Sequence, residues 1–292
     1  MLWLVGGDAG GVSALAEDRF IKDTLWERLE SLIPSRPPAV NGRTGQPRVP
    51  DRKVFAGIVF VLLTGIPWRK LPSELGYGSG ITCWRRLREW SEAGVWDALR
   101  RILLDELGHA KRSAGKPQPN ASLNYSPANR RVATTTGIRP GPNPTDRGKL
   151  GTKYHVLTDR NGIPLHVEIS GANRHDSMLV QPVLDNITAI KGVGRGRPRR
   201  RPVIFHADKA YDNRRVRRYL RRRGIKTRIA RIGVNSKQRL GKHRWVVEHT
   251  MAWVLDFRKL ATSYDRTAPT ITTLVALAVA ITSARKLTKT NY

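Results

Sequence analysis

The sequence predicts an α/β protein: a small all-helical front domain followed by a mixed-sheet domain. Three observations carry this reading. Apolar residues recur at helical spacing from Asp23 to Leu107. From Lys153 the spacing changes to alternation, which folds back at the hairpin signal Asp159-Arg160-Asn161-Gly162. A short apolar run, Val203 to Ala207, then ends at Asp208, and helical spacing returns around Trp245 and Ile271.

In the front domain, Leu25, Trp26, Leu29 and Leu32 mark one helix and Trp96, Leu99, Ile102 and Leu103 another. Between them the chain reads as helix, turn, helix. Arg52 to Thr64 is followed by a Gly65-Ile66-Pro67 break and then by Leu71 to Leu75. After the turn Gly76-Tyr77-Gly78-Ser79-Gly80, Thr82 is placed to cap a helix that runs to Ala93. Arg85, Arg86 and Arg88 on that helix stand beside Trp84 and Trp90, as a groove-reading helix requires. The alternative is an amphipathic helix with Trp84, Leu87 and Trp90 in the core and solvated arginines outside.

From Leu107 to Thr145 no acidic residue occurs, while Pro, Gly, Asn, Ser and Thr are plentiful, so the stretch reads as a linker entering a new domain. Beyond it, Lys153 to Thr158 and Ile163 to Ile169 form the hairpin, with Pro164 tolerable at the start of the returning strand. A helix is expected from about Ser177 to Ile190, then a loop from Gly194 to Pro202, the buried strand ending at Asp208, and helices to the end. The segment Ile271 to Ile281 is the expected closing core helix.

The composition names the class of partner. The 292 residues hold 53 Lys and Arg against 23 Asp and Glu, a net charge of +30, so nucleic acid is the default partner. The imbalance lies in residues 107–292, which carry 38 basic and 10 acidic side chains. A hydrophobic content of 39% supports a folded core. The single cysteine, Cys83, excludes an intramolecular disulfide and a multi-cysteine zinc site, and fits the cytoplasm. The run Val54 to Ile66 is short for a membrane span, and Asp8 with no basic start argues against a signal peptide.

Two carboxylates stand out in this basic field. Asp208 follows an apolar strand, where a side chain emerges into a cleft and suits a metal ion; a helix cap or an ion pair would explain it equally well. Glu248 lies among Trp245, Val246, Met251 and Trp253, and a carboxylate there is costly unless paired or bound to metal. Arg244, four residues earlier, offers the plain ion pair. Between Lys191 and Arg244 there are 21 basic residues and only two acids, Asp208 and Asp212. Carboxylates within such a field suit phosphodiester chemistry with Mg²⁺ or Mn²⁺. Lys209 belongs to the same cluster. Arg197 and Arg199 lie in an Arg-Gly-Arg-Pro loop that reads either as a minor-groove hook or as a basic surface loop. The histidines show no metal spacing, and Asp212 reads as the cap of the helix carrying Arg214 to Arg223.

Several stretches resemble the DDE-type transposases of bacterial insertion sequences, from roughly Leu25 to Leu287. They are Thr64 to Arg69, Thr82 to Leu87, Gly141 to Gly148, Ser170 to Asp176, His206 to Asp212 and Arg244 to Glu248. The resemblance implies an RNase H-like catalytic domain over 121–287, a helix-turn-helix-like DNA-binding domain over 21–110, a linker at 111–120 and an N-terminal extension at 1–20. It implies Asp208 and Glu248 as the second and third catalytic acids and metal ligands, and Arg244 as the arginine preceding the glutamate. The expected partners are double-stranded DNA, at the element's terminal repeats and its target, and further copies of the chain, with no membrane. The resemblance departs at the first acid, where Asn124 stands in place of aspartate, and Gly241 replaces a frequent tyrosine. An amide brings no charge to a cation, so a catalytically impaired, DNA-binding remnant is the alternative.

Overall fold

A computed structural model of the chain describes residues 21–35, 48–113, 122–131, 141–142, 150–191, 197–198, 200–231, 241–261 and 268–290. It divides into two compact units, one ending at Leu99 and one beginning at Arg100.

The first unit is helical: α1 (Asp23–Glu30), α2 (Asp51–Thr64), α3 (Gly80–Glu92) and the start of α4 (Val95–Ser113). Its core is built on aromatic contacts. Trp26 and Trp96 flank Phe55 at ring separations of 6.1 and 6.2 Å, and Trp90 meets Trp96 edge-on at 5.7 Å. Helix α2 stops at Gly65, whose φ of 76° ends it in the left-handed conformation. The helix expected at Leu71 to Leu75 is replaced by two 3₁₀ turns, Trp68–Lys70 and Ser73–Leu75. Pro67 and Pro72 cannot donate to a longer ladder and bias the residues before them toward extended backbone. The cap of α3 is Ser79, not Thr82: the Ser79 hydroxyl accepts from the Thr82 amide at 3.1 Å and pairs with the Thr82 hydroxyl at 2.9 Å. Thr82 sits one turn too late to cap.

The second unit is a mixed sheet with helices. Its strands are β1 (Ser122–Arg131), β2 (Gly141–Pro142), β3 (Leu150–Asp159), β4 (Pro164–Gly171), β5 (Ile204–Ala207) and β6 (Lys226–Ile229). The order is β2-β3-β1-β5-β6, with β4 also paired to β3. Thus β1 runs antiparallel to β3, while β5 and then β6 add in parallel on the other side of β1. Only Ser122 to Asn124 of β1 pair with β5, so Pro127, which has no amide to donate, falls beyond that ladder.

Part of the acid-free stretch read as linker is therefore the strand β1. β6 was also missed, although Lys226-Thr227-Arg228-Ile229 alternates in burial directly after Gly224. The expected helix from Ser177 to Ile190 is shorter: a 3₁₀ turn at Asp176–Met178 and α5 (Val180–Asp185). Asn186 ends it, and the β-branched Ile187 and Thr188 that follow disfavour continuation. The remaining helices are α6 (Arg214–Arg222), α7 (Gly241–Leu255), α8 (Arg258–Ala261) and α9 (Ala268–Thr290). Ile271, Leu274, Leu277, Ala278 and Ile281 of α9 are buried, as a closing core helix requires.

The β3–β4 turn ties the sheet to these helices. Asp159 Oδ1 accepts from the amides of Asn161 (2.9 Å) and Ile163 (2.7 Å), and Gly162 takes a φ of 73°. The Thr250 hydroxyl on α7 lies 2.9 Å from the Gly162 carbonyl, and Lys286 Nζ on α9 donates to the Asn161 carbonyl at 2.7 Å. A Cβ at position 162 would come within 2.8 Å of Thr250 Oγ1. Gly162→Ala is expected to lower stability by at least about 1 kcal/mol from the left-handed backbone alone, read as a drop in urea midpoint. An unchanged midpoint would mean that the turn is not held this way.

His155 is buried in β3, 2.8 Å from Ser170 Oγ. Burial, reinforced by Lys153 and Arg174, pushes its imidazole down to about 3. The unfolded chain takes up a proton near pH 6.5 that the folded protein refuses, so this group's contribution is complete above that pH and is lost as the pH falls toward 3. Acidification from pH 7 to 5 should cost about 2 kcal/mol through His155. Denaturant titrations of His155→Gln should show a flatter pH dependence over that window.

Candidate active site

Asp208 is held where β5 leaves the sheet. Its Oδ1 accepts from the Ala210 amide at 2.5 Å and caps the 3₁₀ turn Lys209–Tyr211. Its other oxygen makes no hydrogen bond or ion pair among the described residues. The cap thus occupies only half of the carboxylate, and the side chain is half-buried. Asp212 is not a helix cap: it accepts from Arg217 Nε at 2.7 Å, while Asn213 caps α6 through the Arg215 amide at 2.8 Å.

Asn124 lies on β1, opposite Thr158 of β3 and beside His206 of β5, two residues before Asp208. Thr158 is fully buried, and its hydroxyl has no hydrogen-bond partner among the described residues. Helix α7, which carries Arg244 and Glu248, packs against β1 and β3. The side chains of Asn124, Arg244 and Glu248 lie outside the described residues, as does Arg199.

The topology therefore brings together the strand of Asn124, the strand ending at Asp208 and the helix of Glu248. Thr250, two residues beyond Glu248, fixes that helix by bonding both the Gly162 and Val246 carbonyls at 2.9 Å. The sequence announced the Asp-Arg-Asn-Gly turn but carried no signal that Thr250 would dock on it.

The front-domain cations separate into two kinds. Arg86 is buried, paired with Asp51 and, at 3.2 Å, with Glu89; Arg48 joins both acids at 3.4 and 3.7 Å. Arg86 thus locks α3 to the start of α2 and is committed within the fold. Arg85 and Arg88 are exposed; Arg88 pairs with Glu92 at 3.0 Å and lies 5.2 Å above the Trp84 ring. Trp84 itself is only half-buried, outside the core that the amphipathic alternative gave it. Lys209 and Arg197 are exposed.

Residues 129–282, more than half of the chain, match a sequence family described as "Transposase DDE domain". The chain belongs to the DDE transposase family. Residues 21–100 match a second family, "Putative transposase of IS4/5 family (DUF4096)". Asp208 and Glu248 fall inside the matched DDE domain, and Asn124 precedes its first residue.

Among curated proteins, the "Putative transposase for insertion sequence element IS402" of Burkholderia cepacia is 47% identical over 128 residues, 44% of this chain and 60% of that protein. The "Insertion element IS402 uncharacterized 16.2 kDa protein" of the same organism is 51% identical over 87 residues, 30% of this chain and 59% of that protein. This transposase-family chain thus spans about three fifths of the length of these relatives. The "Crystal structure of the Mos1 Strand Transfer Complex" is similar at 12% identity and a TM-score of 0.26, over 87% of this chain and 82% of that one, too weak a likeness to bear on the fold.

Arg86→Ala is expected to lower stability by about 1–3 kcal/mol, because it removes a buried guanidinium and its pairs with Asp51 and Glu89, whereas Arg85→Ala leaves stability within about 0.5 kcal/mol. Thermal melts of the two variants side by side make the comparison; equal melts would contradict this division of roles.

Proposed function

We propose that this chain is the DNA transposase of an insertion sequence, binding element ends and carrying out strand cleavage and transfer on cytoplasmic, nucleoid-associated DNA. The observation that carries the reading is the convergence of β1, the end of β5 and α7 within a DDE transposase domain. A central strand flanked by an antiparallel hairpin on one side and two parallel strands on the other supports an RNase H-like catalytic fold. The α2, 3₁₀, α3 succession, with Arg85 and Arg88 exposed, supports a helix-turn-helix-like unit that reads the terminal repeats. Target DNA and further copies of the chain complete the proposed assembly.

The donor set fits a hard divalent cation. Asp208, with one oxygen that no described residue engages, and Glu248 would hold it as carboxylates, and Asn124 would add a neutral amide oxygen. Mg²⁺ or Mn²⁺, when bound, supplies Lewis-acid stabilisation of charge developing at the phosphoryl oxygens. The chain's own part is placement. The Asp208 cap fixes one carboxylate at the strand end, and the Thr250 bond to the β3–β4 turn fixes the helix of the other. Lys209 and Arg244 are the cations nearest in sequence to these acids, suited to hold the DNA phosphate against which water or a 3′ hydroxyl attacks. The bond that breaks is phosphorus to 3′ oxygen.

The test is Mg²⁺-dependent nicking of the element's own terminal DNA by the native chain, Glu248→Ala and Asn124→Asp. Glu248→Ala should bind DNA as the native chain does and fail to cut. The native chain should cut, and Asn124→Asp should cut faster, because it adds a charged ligand. Cutting by Asn124→Asp alone would instead identify a scaffold disabled at one ligand, and cutting by neither would overturn the reading.

A further inference from the structure

Helix α6, Arg-Arg-Val-Arg-Arg-Tyr-Leu-Arg-Arg, holds more arginine than its fold uses. Two of its arginines are committed. Arg215 Nη2 donates to the Ser177 carbonyl at 3.2 Å, and Arg217 binds Asp212 at 2.7 Å and the Ile229 carbonyl at 3.2 Å. Arg214, Arg218, Arg221 and Arg222 are exposed, and their side chains make no hydrogen bond or ion pair among the described residues. At 100° per residue, Arg214, Arg218 and Arg221 fall within an arc of about 60°. The buried Val216, Tyr219 and Leu220 occupy the opposite side.

This ridge repels itself. Like charges three and four residues apart destabilise a helix, and the nearby acids are spent elsewhere: Asp212 on Arg217, and Asp185 on Arg223 and, at 2.7 Å, the Tyr219 hydroxyl. The Asn213 cap and the apolar face hold the helix despite the repulsion. A repeating external anion would relieve it.

We infer that the Arg214, Arg218 and Arg221 ridge is a docking surface for the sugar–phosphate backbone of duplex DNA. The three guanidinium groups are strung along about 10 Å of helix rather than gathered round a pocket, which suits successive phosphates on a rod. Guanidinium groups also match phosphate oxygens in bidentate geometry. The only aromatic residue of the helix, Tyr219, is buried, so the ridge offers no platform for stacking unpaired bases. No apolar side chain of α6 is exposed to enter a membrane. Phosphate contacts of this kind position DNA without reading sequence. The helix starts six residues after Asp208, so DNA held on it would pass the end of β5. The inference rests on the transposase reading and adds a grip separate from the front domain.

The test is fluorescence anisotropy of the full-length protein on duplex oligonucleotides of two unrelated sequences across a salt series. Arg214→Gln/Arg218→Gln/Arg221→Gln is compared with a control that removes three exposed charges elsewhere, Arg160→Gln/Arg174→Gln/Arg258→Gln. The ridge variant should lower the slope of log affinity against log salt by up to about 2.7, or 0.9 per contact, equally on both sequences. Replacement of the same three arginines by lysine should restore the slope, and circular dichroism should show the variant folded. An unchanged slope, or an equal loss in the control, would overturn the inference while leaving the transposase reading in place. Failure of the native chain to bind either duplex would overturn that reading itself.

Discussion

The second unit depends on one closure: helices α7 and α9 over the β3–β4 turn. Asp159 folds the turn, Gly162 gives it the left-handed backbone, and Thr250 and Lys286 hold its carbonyls from two different helices. A buried carbonyl without a partner is costly, so the Thr250 bond to the Gly162 carbonyl fixes the height of α7 along the sheet. Glu248 is two residues from Thr250, on the helix that packs against β1 and β3.

Charge is sorted in the same deliberate way. Arg86 and Arg48 neutralise Asp51 and Glu89 and belong to the fold. Arg217 and Arg223 absorb Asp212 and Asp185. Among the described residues, the side chains of Arg85, Arg214, Arg218, Arg221 and Arg222 are exposed and pair with no acid, and such uncommitted cations, rather than the total of +30, describe the surface presented to a polyanion. Asp208 keeps one oxygen uncommitted among the described residues, and the Ala210 amide, not a guanidinium, takes the other.

The sequence was most legible where a local rule acts alone. The hairpin turn, the apolar strand before Asp208 and the aromatic helices of the front unit follow from periodicity and turn chemistry. Legibility failed where tertiary context decides. β1 lies in a stretch whose Pro, Asn and Ser content reads as loop, and it becomes a central strand only because β3 and β5 pair with it on both sides. β6 is four residues long and half-exposed, too short for alternation to stand out against the arginines around it. Arg86 looked like its neighbours Arg85 and Arg88; its partner Asp51 is 35 residues away, and no spacing rule reaches that far. Asp208 and Glu248 were visible as carboxylates in a basic field, but only the topology sets the strand before one and the helix of the other against β1.

That convergence is the central claim, and affinity cleavage tests it most directly. Fe²⁺, bound in place of Mg²⁺ and supplied with ascorbate and peroxide, cuts the polypeptide wherever the backbone lies close to the cation. Cuts are expected to cluster near Asn124, Asp208 and Glu248 in a single pattern that excess Mg²⁺ suppresses. Cuts near Asp208 alone, or scattered cuts insensitive to Mg²⁺, would contradict it.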